Sequence, residues 1–135
     1  MIDEAVVEAA AGRLISFLEQ GTPPPGLFTD DVFCDFTMPL WRLQAKGTES
    51  VVALRRRGHP SPGRVRRWRC DATARGFVLE FEEEWEADSQ CWYSREMARV
   101  DLVAGAIAQL SVYCTGDWDE ARQRRHAAEV TLLRP

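Results

Sequence analysis

Between Gly76 and Thr115 the chain alternates so regularly that a meander of antiparallel strands is the one regular structure that accommodates it. In its first stretch Phe77, Leu79, Phe81 and Trp85 hold one parity, while Glu80, Glu82, Glu84 and Glu86 hold the other. Successive side chains leave a strand on opposite faces, so one face is built for a core and the other for water. Glu83 breaks the pattern by standing in the apolar parity, between Phe81 and Trp85. A carboxylate on the inner face of a sheet is costly to desolvate, or it is used. That irregularity is the strongest functional signal in the sequence.

Parity extends the assignment to the neighbouring strands. A tight hairpin at Asp88-Ser89 sets Trp85 opposite Trp92, which turns Trp92, Ser94, Glu96, Ala98, Val100 and Leu102 inward. Cys91, Tyr93, Arg95, Met97, Arg99 and Asp101 then face outward, with Glu82 opposite Arg95 as a favourable cross-strand ion pair. On the preceding strand, Arg64 to Ala72, Trp68 and Cys70 point inward beside Phe81 and Leu79. Arg67 and Arg69 form an outer charge ladder with Glu82 and Glu80. The same parity places Arg66 inward, where it can neutralise Glu83. On the closing strand, Ala106 to Thr115, Ala108, Leu110, Val112 and Cys114 are inward, and Gln109, Ser111 and Tyr113 outward.

Upstream, Ile2 to Gln20 carries apolar residues at helical spacing, with Asp3 as cap and Gly21 and three prolines as terminators. Leu27 to Asp31 reads as a turn of helix leading into a strand at Val32 to Met38, with a short strand or extended loop at Trp41 to Ala45. Thr48 to Arg57 reads as a second helix capped by Thr48 and stopped by Gly58. A last short helix runs to about Ala128, capped by Asp117 or Thr115, with Glu120 placed to close a capping box on Asp117. Helix, short strands, helix and long meander together make an α+β chain. Its 135 residues fit a single domain, 1–135, with a substantial core.

A net charge of −4 does not recommend nucleic acid as a partner, and the outer ladder accounts for most of the arginine cluster from Arg55 to Arg69. No apolar run approaches the length of a membrane span or signal segment, so a cytoplasmic protein with no membrane partner is expected. Cys34, Cys70, Cys91 and Cys114 are widely spaced and fit free thiols in a reducing compartment. With two histidines and no Cys-x-x-Cys, neither a metal nor any other cofactor is expected.

Two segments carry a resemblance to a known family. Leu27-Phe28-Thr29-Asp30-Asp31-Val32-Phe33-Cys34-Asp35 resembles the entry to the first long strand of the nuclear transport factor 2-like superfamily. Gly105-Ala106-Ile107-Ala108-Gln109-Leu110-Ser111-Val112-Tyr113 resembles its closing strand, in particular that of the SnoaL-like branch. The resemblance implies a curved, mostly antiparallel sheet wrapped around N-terminal helices as a cone with a conical pocket. It also implies a homodimer through the outer sheet face. The superfamily includes ketosteroid isomerases, polyketide cyclases, epoxide hydrolases and dehydratases, which use acid–base chemistry on apolar substrates. Their catalytic residues do not carry over: the isomerase base would fall at Phe36, and the cyclase or hydrolase aspartate at Val112. Arg99-x-Asp101 matches an epoxide hydrolase pair only in spelling, because both side chains lie on the outer face.

The expected pocket therefore joins Glu83 and Glu96 on adjacent strands to Phe36, Trp41, Arg66, Trp68, Phe81, Trp85, Trp92 and Val112, with His59 on a loop at its mouth. A carboxylate walled by aromatics loses hydration, and two in unlike surroundings can divide acid and base roles. Two readings follow: a binder of a small apolar or aromatic molecule, or an acid–base enzyme using Glu83 and Glu96 with His59 assisting. Beside them stand the structural alternatives, in which the carboxylates are salt-bridged or solvated, His59 is a loop residue and the tryptophans are core.

Overall fold

The computed structural model describes residues 2–135. The chain runs α1 (Glu4–Gln20), β1 (Phe28–Thr37), β2 (Arg42–Lys46), α2 (Thr48–Gly58), β3 (Gly63–Ala72), β4 (Gly76–Ala87), β5 (Gln90–Val103), β6 (Ala106–Cys114) and α3 (Glu120–Glu129). Six strands form one curved sheet in the order β2-β1-β6-β5-β4-β3. All neighbours are antiparallel except β1 and β6, so the sheet is mixed and the fold α+β.

The β4–β5 register is the one that parity predicts: Trp85 faces Trp92, Glu82 faces Arg95, and Phe81 faces Glu96. Its turn holds Asp88 and Ser89 at φ 53° and 60°, the left-handed pair that a two-residue hairpin with matching twist needs. Inward residues Phe77, Leu79, Phe81, Ala98 and Val100 are buried against Val7, Ala10, Ala11, Leu14 and Phe17 of α1. Each fully buried valine, leucine or phenylalanine among them contributes roughly 1.5–3 kcal/mol. Asp3 caps α1 by accepting from the Ala5 amide, and Gly21 closes it in the left-handed conformation at φ 76°. At Gly76 a side chain would collide with the Val100 carbonyl oxygen, so this crowded strand start accepts glycine alone.

Four local expectations are corrected. Residues from Phe28 belong to β1 rather than to a helical turn, because Phe28 pairs with Ile107 of β6 and packs edge-on against Phe17, 5.4 Å between ring centres. Gly47, not Thr48, caps α2, and the Thr48 hydroxyl donates instead to the Thr29 carbonyl at 3.2 Å. Asp119 caps α3 by accepting from the Arg122 amide, while Glu120 accepts from the Cys91 amide and so ties α3 to β5. A register shift between Asp101 and Leu102 pairs Leu102 with Ile107, which is fully buried where Ala108 was expected.

Candidate functional site

Three polar residues are buried on the inner face of the meander: Glu83 on β4, and Ser94 and Glu96 on β5. Glu83 pairs with Ser94 across the strands and Glu96 with Phe81, so the two glutamates are diagonal neighbours. The cation that meets them comes from α2. Arg55 grips Glu83 with both arms of its guanidinium, Nη2 to Oε1 and Nη1 to Oε2 at 3.1 Å, and Nη2 also donates to the Leu18 carbonyl at 2.7 Å. The pair has side-chain exposures of 12% and 5%, an enclosed bidentate ion pair rather than a surface one.

The two carboxyls are driven apart. Burial alone would raise the Glu83 carboxyl, but the Arg55 charge, with the hydrogen bonds from its guanidinium, outweighs it and holds Glu83 below the ordinary range. Glu96 moves the other way, raised well above the ordinary range by burial first, then by the charge of Glu83. Glu96 Oε1 accepts from the Ser94 hydroxyl at 3.1 Å and the Cys114 thiol at 3.5 Å. Glu96 Oε2 is buried without a hydrogen-bond partner among the described residues, so it is the atom left free to hold a proton or meet a ligand.

His59 follows α2, and its amide donates to the Arg55 carbonyl at 2.8 Å. Its ring stands edge-on to Trp85, 4.4 Å between centres, and Trp85 stacks on Trp92 at 6.4 Å. Burial, then the Arg55 charge, lowers the imidazole to about 4, with Glu83 opposing, so the ring is neutral at physiological pH. Beyond β6, Asp117 is raised by burial and then by the charge of Glu83. Next to this group lies a cavity of about 60 Å³, walled by apolar residues including Leu14, Phe36, Phe81, Leu110 and Val112, with Arg55, His59 and Glu96 at its polar end.

Of the predicted residues, the structure thus brings Phe36, His59, Phe81, Glu96 and Val112 to one cavity, with Glu83 held against its Arg55, Trp85 against its His59, and Trp92 stacked behind Trp85. Arg66, Trp68 and Trp41 lie elsewhere. A bulge between Val65 and Arg67 inverts the parity of β3, so Arg66 points outward and pairs with Glu84 at 2.8 Å. Trp68 keeps its register with Phe81 but lies on an edge strand, 55% exposed, and Trp41 is 66% exposed on the β1–β2 turn. Of the outer ladder, Arg67 meets Glu82, while Arg69 bonds its own-strand neighbour Asp71 instead of Glu80. Sequence reasoning missed Arg55 and Asp117. For Arg55 a signal existed: it lies four residues after Val51, on the buried stripe of α2. Asp117 carried none beyond its reading as a cap.

The sequence matches no protein-family model and no curated protein. Solved structures are similar in fold. A nuclear transport factor 2-like protein of Anabaena variabilis aligns with a TM-score of 0.72 at 16% identity, over 87% of this chain and 96% of that one. An LEH-like epoxide hydrolase of Mycobacterium tuberculosis aligns at 0.64 and 13%, over 82% and 83%. A protein of Pseudomonas putida provisionally described as a polyketide cyclase aligns at 0.63 and 18%, over 80% and 90%. The chain thus has the nuclear transport factor 2-like fold, which hosts many functions and by itself assigns none. Among the described residues no helix is long and apolar enough to cross a membrane.

Proposed function

We propose that this protein, as a single domain, binds a small apolar molecule carrying one hydrogen-bond acceptor, with Glu96 as the group that orients it. The observation that carries the reading is the cavity itself, apolar on nearly all sides and opening onto one carboxyl whose Oε2 no protein donor reaches. A few fixed polar groups in an apolar concavity are the usual design of a small-molecule site. At about 60 Å³ the cavity is far below the roughly 300–1,000 Å³ of drug-sized sites, so the ligand is a molecule, or the end of one, with few heavy atoms. Cyclopentanone and cyclopentane test this as a matched pair, followed by ligand-observed NMR. The ketone is expected to bind about tenfold more tightly, the value of one hydrogen bond in an enclosed site. Filling the cavity with Ala98→Leu should abolish both signals. Failure of either probe to bind, or binding unchanged in Ala98→Leu, overturns the reading.

A second reading, acid–base catalysis, is favoured by one specific observation: the two carboxyls stand on opposite sides of the ordinary range, as an acid and its partner base require. In it Glu96 protonates the acceptor atom of a substrate and Glu83, steadied by Arg55, takes the restoring proton, while neutral His59 assists. Turnover of a true substrate that survives Glu96→Gln or Glu83→Gln rules this out.

The family resemblance read from the sequence implies a homodimer, and the outer face offers a surface for it, where Met97 pairs with Tyr113 and both are exposed. Sedimentation as a monomer at micromolar concentration would exclude that dimer. The four free cysteines fit a cytoplasmic protein; a disulfide found in the intact protein isolated from its native cells would count against this.

A further inference from the structure

The ligating atoms of His59, Glu83 and Glu96 all lie within 4.8 Å of one another, and they come from three separate elements. A tetrahedral ion with bonds of about 2.1 Å holds its ligand atoms about 3.4 Å apart, so modest side-chain rotations close the group around one ion. Two buried carboxyls this close need either a proton held by one of them or a positive centre between them. Arg55 supplies one for Glu83, but it leaves Glu96 Oε2 with no protein partner. Glu96 is 5% exposed, so water does not supply the missing contact from bulk. A cation seated between the carboxyls would supply it.

We propose that His59, Glu83 and Glu96 together hold one divalent first-row metal ion, zinc or manganese, at the polar end of the cavity. The donor set of one imidazole and two carboxylates suits such borderline ions better than soft copper(I) or hard calcium. Arg55 does not block it. A carboxylate offers about four lone-pair sites, and the bidentate guanidinium uses one on each Glu83 oxygen. The charges also balance. Binding the ion displaces the proton of Glu96, after which Arg55 and the ion carry three positive charges against the carboxylates of Glu83, Glu96 and, when ionised, neighbouring Asp117. Ser94 and Cys114 hold Glu96 Oε1 and so aim Oε2, the outer-shell support that metal-ligating carboxylates receive. The cavity beside the ion leaves a coordination position open to water or to a small ligand, the arrangement of a catalytic rather than a structural metal.

The test needs no organic ligand, so it is read independently of the binding function proposed above. The full chain is stripped with chelator, dialysed against zinc and, separately, manganese, and analysed for bound metal per chain and for affinity by calorimetry. One ion per chain is expected for at least one metal, with affinity falling more than about 100-fold in both His59→Gln and Glu96→Gln, beyond what losing an outer-shell partner costs. Glu96→Gln keeps the shape and the neutral state of the buried acid, and His59→Gln changes a half-buried helix end, so one of the two suffices if the other does not fold. Cys91→Ser and His126→Gln, which alter exposed thiol and surface imidazole groups, are expected to bind as the parent does. Absence of stoichiometric binding for both metals overturns the proposal. So does binding that survives both His59→Gln and Glu96→Gln.

Discussion

Glu83 and Glu84 are consecutive residues of β4, and each is paired with an arginine, yet the two pairs are physically different objects. Glu83 faces the core and meets Arg55 from α2, with side-chain exposures of 5% and 12%; Glu84 faces water and meets Arg66 from β3, at 36% and 55%. In the first pair each charge has lost its hydration and depends on the other. In the second, water and salt screen the attraction, and two long side chains lose rotamer freedom to make it. One step along a strand moves a carboxylate between these regimes because the pleat turns it to the opposite face. Chemistry becomes available only on the inner side, where burial and the charge of Glu83 raise the neighbouring Glu96 carboxyl.

The largest effect expected follows from breaking the inner pair on one side. Arg55→Leu leaves Glu83 buried without its cation and should lower stability by about 3–5 kcal/mol in chemical denaturation at neutral pH. Adding Glu83→Gln should recover much of that loss, since the uncompensated charge is then gone. A double variant no more stable than Arg55→Leu would mean that Arg55 acts through packing and its Leu18 contact instead.

Next in size is a pH effect. His59 is lowered from 6.5 to about 4, so the folded state binds its proton more weakly than the unfolded chain does. Its contribution is complete above pH 6.5 and is lost as pH falls through that interval, by up to about 3 kcal/mol. His59→Gln should flatten the stability profile between pH 4 and 6.5; an unchanged slope there would show that the ring is hydrated. Glu96 has the opposite sign. As an acid raised in the folded state, it contributes fully below the ordinary carboxyl range, and the contribution fades as pH rises toward its own raised value. Glu96→Gln keeps a neutral group there and should therefore gain on the parent as the solution becomes more alkaline. Equal alkaline profiles would show that Glu96 ionises without cost.

These residues also mark how far the sequence could be read. The β4 and β5 strands were legible to the residue because both faces alternate without interruption and Asp88-Ser89 fixes the register. The inward position of Glu83 and Glu96 followed from the same pattern. The partner of Glu83 did not, since strand parity is a local rule and a bulge cancels it. One extra residue between Val65 and Arg67 turned Arg66 to the outside. The true partner arrives from α2, and only the tertiary packing of that helix against the sheet brings Arg55 to β4. Phe28 was misread for a related reason: Thr29-Asp30-Asp31 has turn composition, but its neighbours are held as a strand by pairing to β6 almost eighty positions later. Trp41 and Trp68 show the limit of composition, because an aromatic residue suits an exposed edge or a turn as readily as a cavity wall.

The smallest expected effect is the one that completes the contrast. Arg66→Ala removes a 2.8 Å hydrogen-bonded ion pair, a length well within the range of a strong charged contact. Exposure ranks it differently. Both partners stay hydrated when separated, and the loss should stay within about 0.5 kcal/mol and shrink further as salt is raised. The residual effect should be independent of Arg55→Leu, because the two arginines lie on opposite faces and share no partner. Unfolding of the four combinations at low and high salt measures this. A loss for Arg66→Ala comparable with that for Arg55→Leu would mean that the bulge, which carries this side chain outward, depends on the ion pair to form. In that case the outer pair would help to set the register that leaves Glu83 to Arg55.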